Sequence, residues 1–128
     1  MPLAYPKPEP RRRTKARRQR AEAAVKRDVR AHCVSRDGSC RIGARYWADE
    51  FSREVWAELC SVGASEWCHL LGHRRSQTRG QAPADRHDTR HTLILCRRHH
   101  TLEERGRLLV TYQTSAGCDG PLTFTVKP

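Results

Sequence analysis

The histidines of this chain are concentrated in one segment. Six of the seven fall within residues 69–100, although an even distribution over the 128 residues would place one or two there. The chain also contains six cysteines. Its start lacks the apolar run of a secretory signal, so we expect a cytoplasmic protein whose thiols stay reduced. Clustered histidines and reduced cysteines favour metal ligation or simple burial over disulfides.

The length of the chain limits it to one modest domain. Hydrophobic residues make up 37% of the 128 positions, which is enough for one small core but not for two. Because a small chain leaves much of its surface exposed after folding, such a core gives limited stability. A bound metal could supply the missing stability. A transmembrane protein is excluded, because no stretch approaches the ~20 consecutive apolar residues that span a bilayer. No membrane partner is expected either, because the basic N-terminal segment has no large apolar residues after Tyr5 with which to insert into lipid.

The positive charge lies mostly at the N-terminal end. The whole chain carries a net charge of +11, and residues 1–20 hold eight basic side chains and one acidic one, or +7. We therefore expect a flexible basic arm over residues 1–20, followed by one domain over residues 21–128. Basic arms release counterions from phosphates, so DNA is the expected partner. The arm residues expected to contact it are Arg11, Arg12, Arg13, Arg17 and Arg18.

The hydrophobic pattern predicts a small α+β fold. A basic N-terminal helix is expected from about Arg11 to Arg36, because this run has strong helix formers without Gly or Pro, and its apolar end should dock on the core. The other expected elements are a helix over residues 49–62, strands at 66–71 and 92–96, a short helix closed by Gly106, and a C-terminal β-hairpin from strands at 108–114 and 122–126. Trp47, Trp56 and Trp67 are expected in the core.

The order strand, polar loop, strand, helix over residues 66–106 should bring several imidazoles to one place. On the predicted helix, His100 and Glu104 are four positions apart and share a face, so they could hold one cation. Such a site with open positions suits hydrolysis. The arginines around it suit contacts to a phosphodiester, and they are Arg74, Arg75, Arg79, Arg86, Arg90, Arg97 and Arg98.

Three segments, in this order, resemble the HNH endonuclease family. They are RDGSCRIG at residues 36–43, EWCHLLGH at residues 66–73 and HTLILCRRHH at residues 91–100, and the loop HRRSQTRG after the second is similar to that of phage-type members. The resemblance implies a ββα-metal core at about residues 66–106, flanked by the N-terminal basic helix, an inserted helix and the C-terminal hairpin. It also implies hydrolysis of DNA phosphodiester bonds, by nicking or double-strand cleavage, with phage DNA-processing or packaging proteins as further partners.

The resemblance implies a role for each matching residue. His69 would be the general base that activates water, and His100 would bind a divalent cation such as Mg, Mn, Ni or Zn. His91 stands where the family has Asn, as a catalytic or metal-binding residue, and Glu104 where some relatives have another His ligand. Cys68 occupies a position that is often a metal-binding Asp or His, and a thiolate there would favour zinc over magnesium. Arg74, Arg75, Arg79, Arg97 and Arg98 would contact DNA.

Many HNH proteins also hold a structural zinc between two C-x-x-C pairs, and this chain has only half of each pair. Cys40 is followed by Gly43 in place of the second cysteine, and Cys96 is followed by His99. Cys33 could complete a Cys3His zinc set with Cys40, Cys96 and His99. Cys60 and Cys118 are expected to fill space as small apolar groups.

Two other functions stay open at this point. The replaced residues at 68 and 91 and the incomplete cysteine pairs also fit a zinc-stabilised DNA-binding module that has lost catalysis. A basic RNA-binding protein would explain the arm but not the histidines. The motif order favours the enzyme, a metal-dependent DNA endonuclease.

Overall fold

The computed structural model describes residues 11–46, 48–63, 65–70 and 87–127, and the chain has a small mixed α+β fold. The elements are α1 (Arg11–Asp37), α2 (Arg41–Ala44), β1 (Glu50–Phe51), α3 (Arg53–Ala57), β2 (Glu66–His69), β3 (Thr92–Leu95), α4 (Arg97–Glu104), β4 (Leu108–Tyr112), a 3₁₀ turn (Gly117–Asp119) and β5 (Leu122–Val126). Within the described ranges, none of the helices has the length and apolar composition needed to cross a bilayer.

Helix α1 is the predicted basic helix, and it passes residue 20 without a break. It ends where Gly38 adopts φ +72° and donates its N–H to the carbonyl of Val34 at 2.9 Å, a backbone conformation that glycine adopts without a steric penalty. Cys33 and Asp37 in its last turns are buried. The C-terminal end of α1 therefore docks on the core, as the sequence predicts.

Strands β2 and β3 form an antiparallel hairpin whose two faces are both covered. Cys68 pairs with Leu93 and His69 pairs with Thr92, and all four residues of β3 are buried. Because side chains alternate along a strand, Trp67 and His69 lie on the face toward α1, whereas Glu66 and Cys68 lie on the face toward α4. The chain thus presents its strand histidine to the basic helix.

The C-terminal hairpin predicted by the sequence is the larger part of a second sheet, with strand order β1-β5-β4. Strands β4 and β5 are antiparallel, and the two-residue β1 adds to β5 in parallel, with Phe51 beside Phe124. The two phenyl rings stack with centroids 5.4 Å apart. This sheet and the inner face of the β2–β3 hairpin enclose the hydrophobic core.

The helix predicted over residues 49–62 is wrong in extent, since only Arg53–Ala57 is helical. Residues 50–51 are drawn into the sheet, and the Ser52 hydroxyl then caps α3 by accepting the Val55 N–H. Trp56, expected in the core, is 53% exposed and stacks under the Arg45 guanidinium, 3.7 Å from its ring centroid. Trp67 is half-buried, and Trp47 lies outside the described residues.

A buried ionic network joins the two sheets. The Arg41 guanidinium donates to both carboxylate oxygens of Asp49, at 2.8 and 2.9 Å, and to Asp37 at 3.1 Å. Asp37 in turn accepts the backbone N–H of Ile94 in β3, and Asp49 accepts that of Leu122 in β5. The positions of α1, β3 and β5 are therefore coupled through charged groups that water does not reach.

Candidate metal centres and active site

Three cysteines and one histidine form a cluster that could hold a metal ion such as zinc. The Nδ1 atom of His99 lies 3.0 Å from Cys96 Sγ, 3.6 Å from Cys40 Sγ and 3.8 Å from Cys60 Sγ. All four potential ligand atoms lie within 4.8 Å of one another. A tetrahedral zinc with its usual bond lengths separates nitrogen and sulfur ligands by about 3.5 Å, so the spacing fits a Cys3His site.

Each ligand of this cluster is placed by the start or end of an element. Cys40 precedes the first turn of α2, Cys96 precedes that of α4, and His99 lies within it. Cys60 arrives from the segment after α3. A Cβ atom built on Gly43 would lie 2.8 Å from Cys60 Sγ. The glycine at the usual place of a second C-x-x-C cysteine thus makes room for a cysteine from elsewhere in the chain.

The ring of His99 is oriented for metal binding. Its Nε2 lies 3.0 Å from the carbonyl oxygen of Glu58, and a carbonyl can only accept, so Nε2 carries the proton and Nδ1 directs its lone pair at the sulfurs. Metal-bound histidines usually have such a second partner. Burial also lowers the pKa of His99, which keeps the ring neutral.

Burial and neighbouring groups shift the pKa values of the three thiols of the cluster. Burial raises the pKa of Cys40, and burial together with the charge of Cys40 raises the pKa of Cys60 to about 12. Burial acts in the same direction on Cys96, but hydrogen bonds from the backbone of His99 and Ser61 outweigh it, and the pKa of Cys96 is lowered. Binding of a cation would therefore displace thiol protons.

Cys33, assigned to this set from the sequence, lies elsewhere. Its sulfur is 3.3 Å from the Thr92 hydroxyl and 3.6 Å from the Thr92 carbonyl oxygen, where it anchors α1 on β3. The expectation that Cys60 merely fills space is corrected by its place in the cluster, whereas Cys118 is buried as predicted. The one sequence feature that could have indicated Cys60 as a ligand was Gly43, which stands at the position of a ligating cysteine but has no side-chain ligand atom.

A second cluster lies between β2 and α4 and consists of Cys68, His100 and Glu103, whose ligand atoms also lie within 4.8 Å of one another. Cys68 Sγ is 3.4 Å from Glu103 Oε2. His100 has carboxylates beside both ring nitrogens, Glu66 at 3.1 Å from Nδ1 and Glu104 at 3.3 Å from Nε2. The predicted pair of His100 and Glu104 is thus in contact, and the buried Glu103, which the sequence analysis did not single out, joins Cys68 and His100.

His69 and His100 line the same cavity, which has a volume of about 1060 Å³. The β2–β3 hairpin side contributes Trp67, His69 and His87, and α4 contributes His100 and Glu104. Helix α1 forms the facing wall with Glu22, Lys26, Arg27, Arg30, Ala31, Val34 and Ser35. The two histidines that the sequence singles out as base and metal ligand therefore line one cavity, and the wall formed by α1 carries three cationic side chains and one acidic one.

His69 belongs to a chain of hydrogen bonds that reaches α1. Its Nε2 is 2.9 Å from Nδ1 of His87, and Nε2 of His87 is 3.0 Å from Oε1 of Glu22. His87 is buried, although the sequence suggests only a loop residue. The ring of Trp67 packs on both imidazoles, with centroids 4.5 Å from His69 and 5.6 Å from His87.

His91 faces a different part of the molecule. Its Nδ1 lies 2.9 Å from the hydroxyl of Tyr112 on β4, and burial raises the pKa of that phenol, so Tyr112 stays protonated and can donate. His91 is not among the described residues that line the cavity. His69 and His100 thus line one cavity, whereas His91 contacts Tyr112 outside its described lining.

The arginines predicted to contact DNA fall into three groups. Arg74, Arg75 and Arg79 lie outside the described residues. Arg97 and Arg98 are exposed in the first turn of α4, and Arg98 also donates to the carbonyl of Leu59 at 3.3 Å. On α1, Arg17 and Arg18 are exposed, and Arg11, Arg12 and Arg13 form its first turn.

Comparison of the chain with protein-family models, with curated proteins and with solved structures gives no match. The two clusters and the cavity are therefore the features that indicate a function for this chain.

Proposed function

We propose that this chain is a metal-dependent endonuclease of the ββα-metal class that hydrolyses phosphodiester bonds in DNA. The observation that supports this best is that His69 and His100, 31 positions apart in the sequence, line one cavity whose opposite wall carries Lys26, Arg27 and Arg30. An imidazole that can take a proton, a cluster that can hold a cation and a cationic wall for phosphate are the three parts that such a hydrolysis needs.

In this proposal His69 is the general base. It accepts a proton from a water molecule at Nδ1, and the water attacks the phosphorus in line with the leaving 3′ oxygen. Arginine side chains of the cavity neutralise the non-bridging oxygens, where negative charge grows in the transition state. The products carry 5′-phosphate and 3′-hydroxyl ends.

Cys68, His100 and Glu103 are the residues that would hold the divalent ion. When bound, such an ion supplies Lewis-acid stabilisation of the charge on the leaving oxygen. The donor set of thiolate, imidazole and carboxylate fits zinc and other borderline ions, and it fits magnesium poorly. Of the two carboxylates beside the His100 nitrogens, Glu66 at Nδ1 and Glu104 at Nε2, one would orient the imidazole, and the other would leave its nitrogen to the ion.

We further propose that the Cys40, Cys60, Cys96 and His99 cluster binds a structural zinc. Four protein ligands close the coordination sphere, as in structural sites. The ion would join the start of α2, the segment after α3 and the first turn of α4, and so fix the helix that carries His100. Stability, rather than chemistry, is its expected contribution.

The test of the nuclease proposal is relaxation of supercoiled plasmid in the presence of Mg, Mn, Ni or Zn. We expect cleavage by the native chain with an ion other than Mg, loss of cleavage with chelator, and loss in His69→Ala while DNA binding persists. The matched control is His32→Ala, because His32 is an exposed histidine of α1 outside the cavity lining. Cleavage by His69→Ala at the native rate would contradict the proposal.

The second candidate is a zinc-stabilised DNA-binding module without catalysis. It is favoured by His91, which stands at the family's Asn position and contacts Tyr112, and by a thiol at position 68. This module would retard DNA in a gel and leave the plasmid supercoiled with every ion tried.

A further inference from the structure

The chain of hydrogen bonds from Glu22 through His87 to His69 runs in one direction when both imidazole rings are neutral. An ionised carboxylate only accepts hydrogen bonds, so the Nε2 of His87, 3.0 Å from Glu22, carries a proton. In a neutral ring the Nδ1 of His87 then has the lone pair, and it accepts from Nε2 of His69 at 2.9 Å. His69 is thereby left with its lone pair on Nδ1.

Ring packing holds His69 and His87 in the orientation of this hydrogen bond. The His69 and His87 rings meet edge to face with centroids 5.1 Å apart, and Trp67 lies against both. Lys26, one helical turn from Glu22, has its ammonium 3.9 Å from the same carboxylate oxygen that His87 contacts. One oxygen of Glu22 is therefore contacted by both the Lys26 ammonium and the His87 ring, which holds the carboxylate in place.

We infer that Glu22 and His87 are positioning residues that set the tautomer and orientation of His69, an inference whose catalytic meaning rests on the proposed nuclease function. The basic helix thus has a second role besides contacting phosphate. It orients the base from a position 47 residues upstream in the chain. Without Glu22, His87 can reverse its own tautomer, and His69 loses the preference that leaves Nδ1 able to take a proton from water.

The first experiment reads the tautomer directly and needs no enzymatic activity. Two-bond ¹H–¹⁵N correlation spectra of the full, zinc-loaded chain distinguish the Nε2–H and Nδ1–H forms of each imidazole, and His69→Gln identifies the signals of residue 69. We expect His69 in the Nε2–H form in the native chain and a mixture in Glu22→Ala. Asp28→Ala is the matched control, because it removes the same charge from the exposed side of α1 and should leave His69 unchanged.

The second experiment measures cleavage by the same variants. Loss of the outer partner of a metal-bound histidine lowers activity on the order of 10- to 100-fold. By analogy, we expect kcat of Glu22→Ala to fall in that range while KM and the Kd for DNA stay within about twofold of Asp28→Ala. Glu22→Gln, whose amide oxygen still accepts the His87 N–H, should recover most of kcat. His87→Phe keeps a buried ring without nitrogens and should behave like Glu22→Ala.

The outcomes separate this inference from the proposed function. If the native chain does not cut DNA but the His69 tautomer follows Glu22, the hydrogen-bonded chain stands and the nuclease proposal fails. If the native chain cuts DNA and Glu22→Ala matches it in both tautomer and kcat, the inference fails and the nuclease proposal stands. An Nδ1–H form of His69 in the native chain also overturns the inference.

Discussion

Gly43 lies directly against Cys60, so that a Cβ atom on residue 43 would come within 2.8 Å of the Cys60 sulfur. This contact explains how an incomplete C-x-x-C pair can belong to a complete metal cluster, because the missing cysteine is replaced by one that occupies the space above the glycine.

Gly43→Ala should therefore destabilise the protein and weaken its metal binding. Helix propensity alone predicts a gain of about 1 kcal/mol for this change within α2, whereas a forced contact in a packed cluster costs about 1–3 kcal/mol. We expect the contact to dominate and the thermal midpoint of the metal-loaded protein to fall by several degrees. The neighbouring change Ala44→Ser adds one atom at an exposed position and should leave the midpoint nearly constant. A stabilised Gly43→Ala would show that Cys60 is free to move away.

Zinc stoichiometry distinguishes Cys60 from Cys33. Cys60→Ala removes a ligand of the cluster, so we expect the purified variant to lose one equivalent of zinc, measured by release to a colorimetric chelator. Cys33→Ala removes a buried thiol that contacts Thr92 and should keep that zinc. The reverse result would restore the ligand set expected from the sequence. Because the pKa values of Cys40 and Cys60 are raised, the apparent affinity should rise with pH, about tenfold per unit for each proton displaced.

The parts of the fold that the sequence predicted are those fixed by local patterns. Helix α1, the β2–β3 hairpin, α4 and the C-terminal hairpin follow from helix formers, alternation and turn residues that are close together in the chain. Strand β1 is different. It has two residues and pairs with β5, with Glu50 opposite Thr123, and so short a parallel pairing between distant segments has no local signature.

The residues of the candidate site also fall into those that local sequence patterns place and those that depend on packing of distant segments. His69 and His100 are placed by a strand end and a helix turn, and the order of the elements could predict that both line one cavity. The links from Glu22 to His87 and from Cys60 to His99 join segments 65 and 39 positions apart. They depend on how α1 and the segment after α3 pack, which the spacing of the residues does not reveal.

Removing Arg41 should cost far more than removing an exposed arginine. Arg41→Met leaves Asp49 buried without its guanidinium partner, and breaking a buried ion pair in this way typically costs about 3–5 kcal/mol. Urea unfolding at neutral pH measures the loss. Arg27→Met, which breaks the exposed pair between Arg27 and Asp28, should change the free energy of unfolding by less than about 1 kcal/mol. Equal effects of the two variants would contradict the role of the network.

Acid should destabilise the protein partly through Asp119. Partial burial alone would raise its pKa, but hydrogen bonds from Thr89, His32 and Arg36 outweigh burial and lower it. A carboxyl whose folded pKa is depressed contributes stability above its unfolded pKa of about 3.9, and that contribution is lost as pH falls through the folded value. Urea unfolding between pH 7 and pH 2 should show this loss, and Asp119→Asn should reduce the acid-dependent part. Asp28→Asn, at an exposed carboxyl, is the control and should keep the native pH dependence.

DNA affinity should depend on the exposed arginines of α1 through charge alone. The logarithm of the affinity falls linearly with the logarithm of the salt concentration, and the steepness of this fall decreases by about 0.9 for each phosphate contact removed. The double variant Arg17→Gln with Arg18→Gln should therefore make the fall less steep by about 2. Fluorescence anisotropy with two unrelated DNA sequences measures it, and both should weaken equally. Arg53→Gln with Arg107→Gln, two exposed arginines outside α1, is the matched control. An unchanged slope for the α1 pair would argue against DNA contact by this helix.

Helix α1 runs without interruption from Arg11 to Asp37, a length of about 40 Å for its 27 residues. Its last turns are anchored on β3, and its middle forms one wall of the cavity beside His69. A flexible segment would hold bound DNA at variable distances from the cavity, whereas a continuous helix fixes the distance between its first turn and the cavity. If the proposed nuclease function holds, DNA bound by the first turns of α1 is expected to be cut at a constant number of nucleotides from that contact.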